Sequence, residues 1–383
     1  MNLNLEISIV MPCLNEAETI ATCITKGQLF LSKNGIKGEI IIADNGSTDG
    51  SIEIAKTHNA TVVNVEEKGY GNALKAGIED ANGKFIIMGD ADDSYDFTNL
   101  MPYVTELRNG HDLVMGNRFK GGIEKGAMPF LHKYLGNPVL SFIGRLFFKI
   151  KIKDFHCGLR GFSKAAYQKM NLKTTGMEFA SEMVVKSKLH NLSITEVATK
   201  LHKDGRTRKP HLKTWSDGWR HLRFLILYAP NWLFLYPGIL LTVIGFISSV
   251  LLIIKPIKFS NFTLDVHTLL YTSALLLIGF QFIIFYGLTK IFAVENDLLP
   301  KTKRYSKIFK ILNLEKGLIF GFIILSIGVF LSFKGLFNWQ ATNFGNLDTS
   351  STLRLIIPAI TALQFGIQTI LFSLFFSILG LKK

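Results

Sequence analysis

Beyond residue 230 the chain carries four long stretches almost free of charge, and nothing else in the sequence narrows its architecture so sharply. They run over about 231–254, 266–289, 317–333 and 355–381, the third being the shortest. Each approaches or exceeds the ~20 residues that cross ~30 Å of hydrocarbon. Four in succession leave too little of the 383 residues to bury them as core helices. Four transmembrane helices are therefore expected. Between the second and third stretches lie Lys301, Lys303, Arg304, Lys307, Lys310 and Lys316, and the chain ends in Lys382 and Lys383. The opposite loops carry only Lys255, Lys258, Lys334 and Arg354. The excess of cations on cytoplasmic loops predicts that the N-terminal region, the middle loop and the C-terminus face the cytoplasm.

The bulk composition, 48% hydrophobic with 31 Phe and 19% charged residues, averages this half with a first half of ordinary globular character. The net charge is +14, and its densest run spans residues 200–223, with Lys200, Lys203, Arg206, Arg208, Lys209, Lys213, Arg220 and Arg223 against Asp204 and Asp217. That run directly precedes an apolar stretch, so anionic headgroups and lipid phosphates are its expected partners. No nucleic-acid partner is expected, because zinc-finger spacing and an aromatic RNA-binding signature are both missing. Cys13, Cys23 and Cys157 have no metal-ligand spacing and suit a reducing compartment. The apolar stretch 7–11 is too short for the core of a cleavable signal peptide. Segments 137–150 and 214–228 mix apolar and basic residues and read as candidates to lie in the headgroup layer. The expected organisation is a catalytic-type domain over 1–212, an amphipathic juxtamembrane helix over 213–230 and a membrane domain over 231–383.

Residues 1–120 alternate short β-rich runs, at 6–11, 39–43, 60–65, 84–88 and 112–115, with helical spacing around Ile20 and Ile24, 52–56 and 73–81. Asn-Gly pairs at 34–35, 82–83 and 109–110 are expected to stop helices in left-handed caps. This alternation predicts a doubly wound, mostly parallel sheet, in which ligands sit beyond the carboxyl ends of the strands. Polar clusters fall at those ends. The first strand runs into Pro12, Leu14, Asn15 and Glu16, and the second into Asp44, Ser47 and Asp49, suited to holding a base or ribose. The fourth runs into Asp90, Ala91 and Asp92. Two acids one residue apart at a strand end direct both carboxylates into one crevice, as Mg²⁺ or Mn²⁺ requires. The segment 67–73 lacks the third glycine and the preceding strand of a dinucleotide fingerprint, so it reads as a loop over the nucleotide.

MPCLNEAETI, DNGSTDGS and GDADDSYDF together resemble family 2 glycosyltransferases of the GT-A fold. GNRF (116–119), DFHCGLRGF (154–162), GMEFASEM (176–183) and DGRTRKPHL (204–212) resemble the polyprenyl-phosphate, or dolichyl-phosphate, hexosyltransferase branch. The resemblance covers roughly residues 5–230. It implies that Pro12, Leu14, Asn15, Glu16, Asp44, Ser47, Asp49, Asp90, Ala91 and Asp92 bind the nucleotide sugar, and that Asp90 and Asp92 hold the metal with the diphosphate. It places Arg118, Lys133 and Arg206 near the acceptor phosphate, and makes Asp92, Asp154 and Arg118 the catalytic group. The chain departs from the pattern at Ser94, where the family often has an amide, and near Lys133, where the usual basic-then-hydroxyl pairing is not clean.

The reaction so implied is inverting transfer of a hexose from a UDP- or GDP-linked donor to polyprenyl phosphate at the cytoplasmic leaflet. Self-association of the chain is compatible with it. A processive polysaccharide synthase usually carries Gln-x-x-Arg-Trp, and here the nearest match is Trp219-Arg220 in reverse order. A transporter would need charges inside its spans, which are almost free of them.

Overall fold

The computed structural model describes residues 5–207, 214–301 and 314–380. Arg208, Lys209, Lys213, Lys303, Arg304, Lys307, Lys310, Lys382 and Lys383 lie outside the described residues. The chain divides into two compact units, Met1–Leu227 and Tyr228–Lys383.

The first unit is the expected doubly wound sheet. Strands β1 (Ile7–Cys13), β2 (Gly38–Asp44), β3 (Thr61–Asn64), β4 (Phe85–Met88) and β5 (Leu113–Asn117) alternate with helices α1 (Ile20–Lys33), α2 (Ser51–Thr57), α3 (Tyr70–Asp80) and α4 (Met101–Arg108). Then come α5 (Arg118–Gly121), α6 (Asn137–Phe148), β6 (Arg160–Ser163), α7 (Lys164–Met170), α8 (Phe179–Leu189), β7 (Ile194–Ala198) and α9 (Thr214–Leu227). The seven strands run in the order β3-β2-β1-β4-β6-β5-β7. All neighbours pair in parallel except β6, which is antiparallel to both β4 and β5.

β4 is buried along its whole length and β1 along nearly all of it, as befits parallel strands covered on both faces. α1 turns Ile20, Cys23, Ile24, Gly27, Phe30 and Leu31 inward at helical spacing, and Ile20, Cys23, Ile24, Phe30 and Leu31 join β1 in the main core. Gly35 and Gly110 take the left-handed stops expected of them, at φ 61° and 92°. Gly83 does not. Its glycine serves close approach instead, because a Cβ there would lie 2.5 Å from the Ser8 nitrogen and 2.6 Å from the Ile7 carbonyl carbon.

The second unit holds α10 (Tyr236–Ile254), a short hairpin of β8 (Ile257–Lys258) and β9 (Thr263–Leu264), α11 (Val266–Glu295), α12 (Leu314–Ala341) and α13 (Thr349–Gly380). Counting the turn that leads into α10, four apolar helices of 24, 30, 28 and 31 residues are long enough to cross a membrane among the described residues. The third is longer than its apolar run suggests. It continues past Lys334 through Leu336, Phe337 and Trp339, whose large exposed side chains extend the apolar surface. α10 and α11 meet closely at Gly245, and Ser249 Oγ donates to Thr272 Oγ1 at 2.9 Å across the same contact. At one end of this unit Arg354 pairs with Asp265 and donates to the Leu252 carbonyl at 3.2 Å, tying α10, α11 and α13 together.

Candidate active site

β1, β2, β4 and β5 end at the same edge of the sheet, and the polar clusters read from the sequence follow them directly. After β1 the chain turns through Asn15, which holds a left-handed φ of 59°. A non-glycine residue in that region is uncommon and needs support from its surroundings. Here the support comes from the loop after β2. The Asn15 N–H donates to Ser47 Oγ (2.8 Å), the Thr48 N–H to Asn15 Oδ1 (2.8 Å), the Glu16 N–H to Ser51 Oγ (2.8 Å) and the Ala17 N–H to Asp49 Oδ2 (2.9 Å). Ser47 and Asp49 thus brace the first loop from behind.

Asp44 is buried, and its Oδ2 accepts from the Gly46 and Ser47 amides at 2.9 and 3.0 Å. Its Oδ1 is buried with no hydrogen-bond partner among the described residues. An orphaned buried carboxylate oxygen is costly unless a donor arrives to meet it. Pro12 and Leu14 are half-buried beside this loop. Asn45, which sequence reasoning passed over, clamps the segment read as a nucleotide loop. Its side chain donates to the Val65 and Glu67 carbonyls (3.1 and 2.8 Å) and accepts from the Gly69 N–H (2.7 Å).

After β4, Ala91 is buried, and its carbonyl accepts from Thr19 Oγ1 at 2.7 Å. The flanking acids differ. Asp90 accepts from the Tyr70 hydroxyl on Oδ1 (3.0 Å). Burial, and then the negative charge of Asp92, push its carboxyl up to about 6, while the Tyr70 hydrogen bond pulls the other way. Asp92 Oδ1 accepts from the Ser94 N–H and hydroxyl at 3.1 and 2.6 Å. Arg206 donates to Asp92 Oδ2 (2.8 Å), to Glu16 Oε1 (3.2 Å) and to Asp204 Oδ2 (3.0 Å). Asp93 turns the chain at a left-handed φ of 61° and pairs with Lys26 at 2.7 Å. Among the described residues no group of three His, Cys, Asp or Glu side chains could hold a metal ion. The donor set still fits Mg²⁺ or Mn²⁺, which bind through one or two carboxylates and leave other places to phosphate and water. Arg206, a cation seated against Asp92, marks the same preference for positive charge.

β5 delivers Arg118, which is buried and held by Asp154 through both prongs of its guanidinium. Tyr70 and Arg160 belong to the site's support, and the sequence did not single them out. Arg160 is fully buried and donates to the carbonyls of Cys157 (2.8 Å), Phe155 (3.0 Å) and Ala180, fixing the loop that carries Asp154. Behind that loop His156 and His221 meet edge to face, ring centroids 4.7 Å apart, and His221 Nδ1 lies 2.8 Å from Ser181 Oγ. Lys133 stands apart: its ammonium lies 5.5 Å from the centre of the Tyr134 ring, and no described contact joins it to Arg118 or Arg206.

Comparison with known proteins agrees with this architecture. The pattern "Glycosyl transferase family 2" matches residues 8–170, and "Glycosyltransferase family 2 C-terminal transmembrane region" matches residues 287–380. The chain is 35% identical over 379 residues, 98% of its own length and 89% of the relative's, to the low-salt glycan biosynthesis hexosyltransferase Agl6 of Haloferax volcanii. It is 31% identical to the glycosyltransferase AglJ of the same organism over 199 residues, half of this chain and 62% of that one. Among solved structures, glucosyl-3-phosphoglycerate synthase from Mycobacterium tuberculosis, crystallised with Mn²⁺, UDP and glucosyl-3-phosphoglycerate, is similar at 20% identity and a TM-score of 0.45, over 58% of this chain and 78% of that one. A strand-end acid pair on a doubly wound sheet, the helices that follow it and a full-length relative lead to one conclusion: the chain belongs to glycosyltransferase family 2, as a membrane protein with that family's C-terminal transmembrane region.

Proposed function

We propose that the chain transfers a hexose from a UDP- or GDP-linked donor to a polyprenyl phosphate, inverting the anomeric carbon and releasing the nucleoside diphosphate. The observation that carries this reading is the convergence, on one sheet edge, of the orphaned Asp44 Oδ1, the Asp90–Asp92 pair and the buried Arg118, in a chain that also has four membrane-spanning helices. Asp44 Oδ1 takes a donor N–H or O–H of the base or ribose, beside Pro12, Leu14, Asn15 and Glu16. Ser47 and Asp49 contribute by holding that loop in place. Asp90 and Asp92 would hold Mg²⁺ or Mn²⁺, which when bound neutralises the charge gathering on the leaving diphosphate.

The lipid phosphate is already anionic near neutrality, so its oxygen forms the new bond to C1 as the bond to the diphosphate breaks, and no strong base is required. Asp154 suits that chemistry. With both oxygens already accepting from Arg118, it orients the guanidinium instead of taking a proton. Arg118 and Arg206 then supply positive charge to phosphate, and rate comes from positioning and electrostatics.

Two features support a membrane-borne acceptor. Leu131, Leu135, Val139, Phe142 and Leu146 form an exposed apolar stripe along and just before α6, and Trp215 and Trp219 are exposed on α9. Both suit the headgroup layer. The cation-rich loops argue for the cytoplasmic leaflet.

The test incubates membranes holding the full chain with radiolabelled UDP- and GDP-hexoses and added undecaprenyl or dolichyl phosphate. Label that extracts into organic solvent as a lipid-linked monosaccharide, and is lost in Asp92→Asn, supports the proposal. Label in a polymer, or no incorporation from any donor, defeats it.

A further inference from the structure

The segment 201–207 is strapped across the Asp92 loop. Leu201 bridges to Ile123, the His202 N–H donates to the Ser94 carbonyl (2.9 Å), and the Gly205 N–H donates to the carbonyl of Asp92 itself (3.0 Å). Thr207 closes the strap, its N–H and hydroxyl each 2.7 Å from a different oxygen of Glu18. This backbone turns Leu201 into the core and the Arg206 side chain toward the acids. The Arg206 guanidinium, 12% exposed, spans Asp92, Glu16 and Asp204, with Asp90 close enough to feel its charge. Four carboxylates crowded at a sheet edge need a countercharge, and Arg206 supplies it from within the chain.

We infer that Arg206 is a resident cation that a divalent metal must displace from Asp92, and that the incoming diphosphate is what releases it. This rests on the donor and metal roles proposed above and extends them to the order of binding. A bare divalent ion approaching Asp92 meets a guanidinium already on Oδ2, so it must break a charge-assisted hydrogen bond and face like charge. An ion arriving with a diphosphate brings new acceptors. Arg206 moves its hydrogen bonds from Asp92 and Glu16 onto phosphate oxygens, the carboxylate turns to the metal, and no charge is left unpaired. Metal and diphosphate thus assist one another, and by reciprocity each raises the other's affinity equally. Arg206 changes partner but not protonation.

The test counts free Mn²⁺ by electron paramagnetic resonance over the full chain in detergent, for the unmodified chain, Arg206→Met and Arg206→Lys. Each is titrated with Mn²⁺ alone and with Mn²⁺ plus UDP or GDP, whichever binds more tightly. Arg206→Met is expected to bind Mn²⁺ alone at least about tenfold more tightly than the unmodified chain. It is expected to bind the Mn²⁺–nucleotide pair more weakly, with Arg206→Lys between the two. Opposite signs for the two ligands are the signature, since a strap that merely came loose would weaken both. Equal affinity for Mn²⁺ alone in Arg206→Met and the unmodified chain overturns the inference, and so does weakening of both ligands. Adding Asp92→Asn to Arg206→Met separates the two levels. If the double variant keeps its Mn²⁺ affinity, the metal assignment itself falls. If that affinity depends on Asp92 yet is indifferent to Arg206, only the displacement falls.

Discussion

Arg118 and Asp154 form a two-pronged ion pair inside the first unit, with Nε 2.7 Å from Oδ2 and Nη2 2.8 Å from Oδ1, and the Arg118 amide adds a third bond to Oδ2 at 3.1 Å. The two residues are 36 positions apart in the chain, one following β5 and the other in the loop before β6. The pair joins two motifs into one structural unit. Breaking one side leaves a buried charge, so Asp154→Ala is expected to lower the stability of the unit by about 3–5 kcal/mol. The double variant Arg118→Met/Asp154→Leu should regain most of that loss and still transfer no sugar. Thermal unfolding of the solubilised chain and the transfer assay together check this. A double variant no more stable than Asp154→Ala counts against it.

His221 gives a pH dependence of definite sign. Burial lowers its imidazole from 6.5 to about 4, so the native state keeps the neutral form. The unfolded chain takes up the proton below about 6.5, whereas the folded one does so only near 4. The contribution is therefore whole above 6.5 and is lost as pH falls toward 4, by up to about 1.4 kcal/mol per pH unit. His156 is lowered in the same direction, again chiefly by burial. His221→Asn is thus expected to reduce the acid slope of stability between pH 6.5 and 4 without removing it. The unfolding midpoint measured at a series of pH values checks this, and an unchanged slope speaks against it.

Much of this arrangement was legible in the sequence, for reasons that the missed parts make plain. β1, β2, β4 and β5 announce themselves because burial on both faces demands apolar runs, and the membrane helices because hydrocarbon on every side does. The acids at 44, 90 and 92 stand out at the ends of such runs, whereas β7, parallel to β5 but only half-buried, was not read. β6 carries no such signal. It is four residues long, begins with Arg160 and contains a glycine, and it is a strand only because β4 and β5 lie on either side of it. Tyr70 and Asn45 were illegible because their partners, Asp90 and the 65–69 segment, are at least 20 positions away. The role of Ser47 and Asp49 was likewise hidden: their residue types suit a ligand, but only the folded loop reveals the backbone amides they accept from.

In the second unit the contact between α10 and α11 depends on Gly245. A Cβ there would sit 2.5 Å from the Leu276 nitrogen and 2.7 Å from the Thr272 carbonyl oxygen, both backbone atoms with little room to yield. Gly245→Leu should force the helices apart, break the Ser249–Thr272 hydrogen bond and destabilise the unit by about 1–3 kcal/mol. Val243→Leu, on the exposed face of α10, should be nearly neutral. Unfolding in detergent, read from Cys substituted at the α10–α11 contact, distinguishes the two. Equal effects would mean that the helices do not rely on that contact.

The Asp90 carboxylate is reached from two sides, and each can be altered separately. A Cβ on Gly158 would lie 2.4 Å from Asp90 Oδ2, while the Gly158 N–H is anchored to the Tyr95 hydroxyl at 2.9 Å. In Gly158→Ala the carboxylate therefore moves rather than the backbone. On the metal role proposed for Asp90, the metal concentration for half-maximal transfer should rise about tenfold while stability changes by less than about 1 kcal/mol. Tyr70→Phe acts on the other oxygen and in another way. The Tyr70 hydroxyl stabilises the charged form of Asp90, so its loss raises the carboxyl further above about 6. On that same role, protonation of Asp90 weakens the hold on the cation, so the metal requirement of Tyr70→Phe should exceed that of the unmodified chain far more at pH 6 than at pH 8. Gly158→Ala should show its defect at both. Metal titrations of transfer at the two pH values decide, and a Tyr70→Phe defect independent of pH would sever the link between that hydroxyl and the charge on Asp90.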